Sequence, residues 1–315
     1  MTELRTAVRE AARRLSEAGI ASAEVDAVEL AAHALGVEAG EVRRLMVIGG
    51  PALPGSFEAL VDERARRVPL QHLTGRSHFR RLTLAVGPGV FVPRPETEVL
   101  VDLALVEIDR LGAASSTPEP ALRVVDLCAG SGAIPLSVKD ERPDADVRGL
   151  EVSADAHAWA AANRDRLGLD VDLRVGDATR SCFEDWSAMV DVVTVNPPYI
   201  PVGAVPVDPE VRDHDPAVAL YGGSEDGLAI PLAVARTAAA LLRDGGLILM
   251  EHADSQGDSL PARLRSTGEW VEVTDHTDLS GRPRVTTARR ATRGDAAADA
   301  GRSPDSQTPR LGSRP

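Results

Sequence analysis

From Ala121 onward short apolar runs alternate with stretches of helical character, and this alternation restricts the possible fold more than any other feature of the chain. The runs at 123–128, 147–151, 171–175, 190–195, 246–251, 270–274 and 283–289 read as strands. The stretches at 133–141, 154–167 and 227–243 read as helices. Strands separated by helices indicate an α/β fold built on a mostly parallel sheet. Ligands of such sheets sit beyond the carboxyl ends of the strands. The residues that follow those ends are therefore where chemistry is expected.

The first strand runs through Asp126 into Cys128-Ala129-Gly130-Ser131-Gly132, a loop of small residues that lets the backbone approach a ligand closely. Glu151 closes the next apolar run, 19 residues past Gly132. An acid about 20 residues after a glycine loop is placed to take a ribose diol. Pro135 stands where the dinucleotide fingerprint expects a third glycine, which argues against pyrophosphate. The pattern suits a nucleoside ligand without phosphates, such as S-adenosyl-L-methionine. Asp177-Ala178 and Asn196-Pro197-Pro198-Tyr199 also follow strand ends, so all of these residues are expected on one rim.

The tetrapeptide has its own chemistry. The Asn196 amide oxygen and the Pro197 carbonyl are two acceptors that can grip one NH2 group. Pro197 and Pro198 fix φ and bring no N–H donors. Tyr199 offers a flat face to pack on the group held. An NH2 gripped by both hydrogens keeps its lone pair as the free direction, which suits a nitrogen attacking an electrophile.

Ahead of the α/β region, residues 1–80 read as a helical bundle. Leu4, Val8, Ala11-Ala12 and Leu15 recur at helical spacing with Gly19 at the stop. A second helix spans Ser22 to Leu35, with Ser22 as N-cap and Gly36 beyond its end. A later one runs from Ser56 to Val68, ended by Pro69. Residues 82–93 read as a β-hairpin turning at Gly87-Pro88-Gly89, inside a linker at 81–98. A helix then runs to about Leu111, with a polar loop over 112–120. Residues 291–315 lack large apolar side chains except Leu311, are rich in Ala, Gly, Ser, Pro and Asp, and read as a disordered tail after a domain at 99–290.

Composition narrows the classes further. The formal net charge of −13 counts against a nucleic-acid substrate, which a basic face usually meets. No apolar run approaches the ~20 residues of a membrane span. Two cysteines make no disulfide framework and point to a reducing, cytoplasmic setting. The seven histidines show no metal-ligand spacing, so no metal site is expected.

With these residues in hand, the chain resembles the HemK-type protein-(glutamine-N5) methyltransferases, specifically the peptide chain release factor glutamine methyltransferases. The resemblance runs from residue 1 to about 290. It rests on Pro69-Leu70-Gln71-His72-Leu73-Thr74-Gly75, Val92-Pro93-Arg94-Pro95-Glu96-Thr97-Glu98, the Asp126–Gly132 loop, Asn196-Pro197-Pro198-Tyr199, Gly222-Gly223-Ser224-Glu225-Asp226-Gly227 and Asp278-Leu279-Ser280-Gly281-Arg282-Pro283. It implies a class I S-adenosylmethionine-dependent methyltransferase, Rossmann-like, behind an N-terminal bundle that docks the substrate. The implied acceptor is the side-chain amide nitrogen of the glutamine in the Gly-Gly-Gln motif of bacterial release factors. Carried over, Cys128 to Gly132 and Glu151 hold the donor, and Asn196, Pro197 and Tyr199 hold the amide. A cytoplasmic monomer is expected.

Two residues keep two readings each. Asp126 either anchors the loop or touches the ligand. Asp177 either meets the adenine ring or caps a helix. Arg94, Glu96 and Glu98 are read as an ion-paired hinge rather than as ligand contacts. One rival class is an adenine-N6 nucleic-acid methyltransferase, whose exocyclic NH2 suits the same tetrapeptide. The acidic charge, the lack of a basic target-recognition region and the Arg-Pro-Glu-Thr-Glu segment oppose it. The other rival, a non-catalytic binding protein, is opposed by the intact loop, Glu151 and Asn196.

Overall fold

A computed structural model of the chain describes residues 3–114 and 121–292. Beyond its first two residues, the tail expected at 291–315 lies outside the described residues, as does most of the loop expected at 112–120.

The N-terminal region packs α1 (Glu3–Glu17), α2 (Ala23–Leu35), α3 (Ala39–Ile48), α4 (Ser56–Ala65) and α5 (Leu70–Thr74) around a core of their own. In α1, Leu4, Val8, Ala11 and Leu15 are buried at the spacing that brings them onto one face. Gly36 ends α2 in the left-handed region, as expected, but the Ser22 side chain makes no capping hydrogen bond. The fourth helix stops at Ala65, earlier than Val68, because Arg67 already turns at φ 70. Pro69 instead stands at the start of α5.

The hairpin differs from expectation. Strands β1 (Arg76–Phe79) and β2 (Leu82–Ala85) pair antiparallel, from Arg76 opposite Ala85 to Phe79 opposite Leu82. The turn is thus Arg80-Arg81, and Gly87-Pro88-Gly89 follows the second strand. Charge pairing closes this turn. Arg80 adopts φ 51, donates its backbone N–H to Glu98 Oε1, and binds Glu141 and Asp102 through its guanidinium. The glycines serve close approach instead: a Cβ on Gly87 would stand 2.7 Å from the Trp159 ring.

The remaining elements are α6 (Glu98–Ala114), β3 (Arg123–Asp126), α7 (Ala133–Glu141), β4 (Asp146–Glu151), α8 (Ala154–Leu167), β5 (Asp172–Val175), β6 (Val190–Val195), α9 (Pro209–His214), α10 (Ala229–Leu241), β7 (Leu242–Glu251), α11 (Ser259–Ser266), β8 (Trp270–Thr277) and β9 (Pro283–Arg290). The helix α6 runs three residues past the expected Leu111. Seven strands form one sheet in the order β5-β4-β3-β6-β7-β9-β8. Pairings from β5 to β7 are parallel, and β9 is antiparallel to both β7 and β8. Side chains alternate across it: Val124, Val147, Val192 and Leu249 enter one core with α6, α7 and α8. Val125, Leu150, Val193 and Met250 enter another beneath α10 and α11. The strand order reverses at β3, with β4 on one side and β6 on the other, so the crevice of this sheet opens past Asp126, Glu151 and Val195.

Candidate active site

A cavity of about 650 Å³ opens at that crevice. Its wall includes Cys128, Ala129, Gly130, Ser131, Glu151, Asp177, Ala178, Asn196, Pro198 and Tyr199, so the structure brings most of the residues expected from sequence to one place. Asp126, Gly132 and Pro197 are not on the wall. Gly132 begins α7 against Leu136 and Ala160, and Pro197, the second residue of the tetrapeptide, is buried.

The loop after β3 is held by its own carboxylates. Glu151 accepts the Gly130 N–H at 2.8 Å through one oxygen and the Ser153 N–H at 2.8 Å through the other. Both oxygens keep further lone pairs for a ligand diol. Asp126 is fully buried and accepts the Thr194 hydroxyl at 2.8 Å, while its second oxygen has no partner. Burial, opposed by the Thr194 bond and helped by the Glu151 charge, pushes its pKa up to about 7. Of its two readings, the Thr194 bond supports the anchor. Asp177 binds the Thr179 N–H and hydroxyl through one oxygen, which holds its pKa below the usual carboxylate range. It is a turn former that also faces the cavity. Burial drives the Cys128 thiol well above its ordinary range, so it stays a neutral, small loop residue.

Two connections tie the loop to its surroundings. Asn163, completely buried in α8, donates to the Ser131 carbonyl and brackets the backbone of Ala85 in β2. The helix α8 itself starts on Ser153, whose hydroxyl accepts the Ala156 N–H. The hairpin, the glycine loop and the helix after Glu151 therefore form one connected frame, and Phe79 of β1 reaches the cavity wall.

The tetrapeptide is fixed from both ends. At its start, the Asn196 amide nitrogen donates to the Thr97 hydroxyl at 3.3 Å, which leaves Oδ1 free on the cavity side. Thr97 belongs to a 3-10 turn, Pro95–Thr97, inside the Arg-Pro-Glu-Thr-Glu segment, and is buried. At its end, the Tyr199 carbonyl accepts Gln256 Nε2 at 3.0 Å, and the same nitrogen binds the Asp226 carbonyl. The Tyr199 hydroxyl lies 3.5 Å from Glu251 Oε1. Burial and the Glu251 charge push the phenol above its usual range, so it remains a donor.

Of Arg94, Glu96 and Glu98, read from sequence as an ion-paired hinge, only Arg94 makes an ion pair among the described residues, and it also lines the cavity. Arg94 pairs with Asp215 at 3.0 Å and lies over the Phe91 ring at 5.1 Å. Glu98 serves the hairpin turn, and Glu96 is exposed. Sequence reasoning missed Thr97, Glu251 and the strap from Pro206 to Leu220, which closes one side of the cavity with Val207, Asp208 and Val211. The Thr97 signal was present in the motif; the strap has no pattern that marks it. Among the described residues no helix is long and apolar enough to cross a membrane, and no group of three or more His, Cys, Asp or Glu side chains is placed to hold a metal ion.

A parallel sheet with an antiparallel terminal pair, a small-residue loop after its first strand and an Asn-Pro-Pro-Tyr segment after its fourth define a class I methyltransferase. The sequence matches the PrmC N-terminal domain over residues 6–75 and the methyltransferase small domain over residues 113–206. It is 45% identical over 292 residues to the release factor glutamine methyltransferase of Streptomyces coelicolor, covering 92% of this chain and 99% of that one. The protein of the same name from Mycolicibacterium smegmatis is 44% identical over 297 residues, covering 93% and 100%. A Streptomyces pristinaespiralis protein named 4-amino-L-phenylalanine/4-methylamino-L-phenylalanine methyltransferase is 40% identical over 269 residues, covering 85% and 89%. The chain belongs to the release factor glutamine methyltransferase family.

Proposed function

We propose that this protein transfers a methyl group from S-adenosyl-L-methionine to the side-chain amide nitrogen of the glutamine in the Gly-Gly-Gln motif of peptide chain release factors. The observation that carries the reading is the Asn196 amide, turned by Thr97 so that its oxygen stands free on the wall shared with the glycine loop and Glu151.

The donor would rest on Cys128 to Ser131, with Glu151 on the ribose diol and Asp177 and Ala178 near the base. The unused lone pairs of Glu151 and the close-approaching backbone of the loop fit such a nucleoside. Bound there, S-adenosyl-L-methionine supplies an electrophilic methyl group that needs no activation. The task left to the protein is to hold the amide nitrogen in line, and orientation of this kind is worth ~7–11 kcal/mol in favourable cases. Asn196 Oδ1 accepts one N–H of the glutamine amide, and Tyr199 packs on its plane. The Pro197 carbonyl, between the cavity-lining Asn196 and Pro198, would accept the second N–H. As the nitrogen turns positive, the acceptor holds it more tightly than in the ground state, which is the differential binding that catalysis needs.

The test is transfer of labelled methyl to purified release factor, beside a Gln→Glu form of its Gly-Gly-Gln motif, 4-amino-L-phenylalanine, DNA and RNA. Label on the unmodified factor alone supports the reading. Label on the amino acid or on nucleic acid, with none on the factor, overturns the acceptor.

A further inference from the structure

Behind the wall of the site lies a buried carboxyl that the reaction as proposed does not use. Glu251 ends β7, is 2% exposed, and keeps one oxygen without a partner. Its other oxygen faces the Tyr199 hydroxyl at 3.5 Å. The Thr97 hydroxyl stands beside the same carboxyl and favours its charged form. Thr97 in turn accepts the Asn196 amide nitrogen at 3.3 Å. Two donations are present, Asn196 N–H to the Thr97 hydroxyl and Tyr199 O–H to the Glu251 carboxyl. The Thr97 hydroxyl, whose oxygen already accepts from Asn196, stands next to that carboxyl, which leaves its own proton the direction of Glu251.

That direction has a consequence for the amide. Asn196 can present either its oxygen or its NH2 to the cavity, and only the oxygen accepts a substrate N–H. A threonine hydroxyl has one proton. When Glu251 takes that proton, the hydroxyl lone pairs face Asn196, and only the NH2 edge of Asn196 satisfies them. Tyr199 is turned by the same acceptor. Burial pushes the Glu251 pKa up to about 7, against the pull of Thr97, Arg284 and Tyr199 and with Glu96 adding to the rise.

We infer that Glu251 and Thr97 are positioning residues: Glu251 is the common acceptor that sets the flip of the Asn196 amide through Thr97 and the ring of Tyr199 directly. The inference rests on the reading of Asn196 as the amide acceptor.

The experiment compares Thr97→Val, Thr97→Ser and Glu251→Gln with the unaltered full-length chain, using saturating S-adenosylmethionine and purified release factor. Thr97→Val keeps the shape and removes the hydroxyl; Thr97→Ser keeps the hydroxyl. Glu251→Gln keeps an acceptor oxygen and introduces a competing NH2. The expected result is a fall in kcat of about 10- to 100-fold for Thr97→Val and Glu251→Gln, with the release factor KM and the donor dissociation constant within about twofold. Thr97→Ser returns to within a few-fold of the unaltered rate. An unchanged kcat in Thr97→Val overturns the inference. So does a loss that Thr97→Ser shares equally, or one that lies only in donor affinity or thermal midpoint. If Glu251→Gln does not fold, the threonine pair still decides. Absence of transfer by the unaltered chain is a different failure, that of the acceptor assignment, and the same variants are then read on whichever acceptor takes the label.

Discussion

Arg64 of the helical region and Glu210 of the cavity strap form a buried ion pair, Nη1 to Oε1 at 2.7 Å, across 146 residues of sequence. Both side chains are about nine-tenths hidden. Arg64 also binds Asp26 in α2, and Arg67 binds the second oxygen of Glu210. The bundle is thereby pinned to α9, whose N-cap Asp208 and inner residue Val211 line the cavity. At the far end of the same strap, Asp215 is held by Arg94.

Replacing Glu210 by Ala removes the acceptor and leaves a buried guanidinium short of a partner. Breaking such a pair from one side costs about 3–5 kcal/mol, and the lower end applies because Asp26 and the Val68 carbonyl remain. The denaturant midpoint is expected to fall accordingly, and the release factor KM to rise more than the donor dissociation constant. An Asp26→Leu/Arg64→Met/Glu210→Leu triple variant, which removes every member of the buried cluster and leaves Arg67 the nearby Asp208, should recover much of the stability. A triple variant no better than Glu210→Ala sinks the pairing argument.

Replacing Asn196 by Ala removes the amide oxygen from the wall but leaves the glycine loop and Glu151 intact. Turnover is expected to drop by about 10²–10³-fold, the size associated with losing one preorganised group at a reacting centre. Donor affinity, measured by calorimetry, should change little. Near-normal turnover in this variant removes Asn196 from the chemistry.

Much of the α/β region was legible because strands and helices there are separated by sharp local signals. Helices α7 and α8 fall at 133–141 and 154–167, as their sequence periodicity indicates, and the strands agree within a few residues. The rim residues were legible for the same reason, since each follows a strand end. What was hidden depended on distant partners. Arg80 turns the hairpin only because Glu98, Glu141 and Asp102 come to it from other elements. Glu251 looks like the end of an ordinary apolar strand until Tyr199 and Thr97 are placed around it. Short helices such as α5 and α9 carry too few residues for a period to show.

Gly227 is placed against the tetrapeptide. A Cβ there would stand 2.1 Å from the Tyr199 carbonyl oxygen and 3.0 Å from Gln256 Nε2, and φ is +73. Gly227→Ala is expected to displace Tyr199 and abolish most activity. Gly168→Ala is the matched comparison, with φ +66 and nothing within 4 Å of the new carbon. It pays only the left-handed backbone term of roughly 1–2 kcal/mol and should keep its turnover. Equal loss in both variants would show that strain alone, and not the Tyr199 contact, explains Gly227.

The buried acids make stability depend on pH in a definite direction. Asp126 moves from 3.8 to about 7 on folding, chiefly through burial, and Glu251 from 4.5 to about 7 for the same leading reason. A raised folded pKa gives stability that is fully present below the unfolded value and is lost as pH rises through the folded one. Both groups therefore weaken the fold between about pH 4 and pH 8. Glu107 works the other way: burial would raise it, but hydrogen bonds from Arg110 and Arg289 bring it down to about 2. Its contribution is present above 4.5 and is lost as the pH falls toward 2. The thermal midpoint of the protein without ligand should peak near pH 5 and decline toward pH 8. In Asp126→Asn the amide oxygen can still accept the Thr194 hydroxyl, and nothing at that position titrates. At about 1.4 kcal/mol per unit, removing the Asp126 share should shrink the decline between pH 5 and pH 8 by several degrees. A decline of the same size in the variant would mean that Asp126 is already charged at pH 5 in the folded protein, which contradicts a carboxyl whose pKa burial raises to about 7.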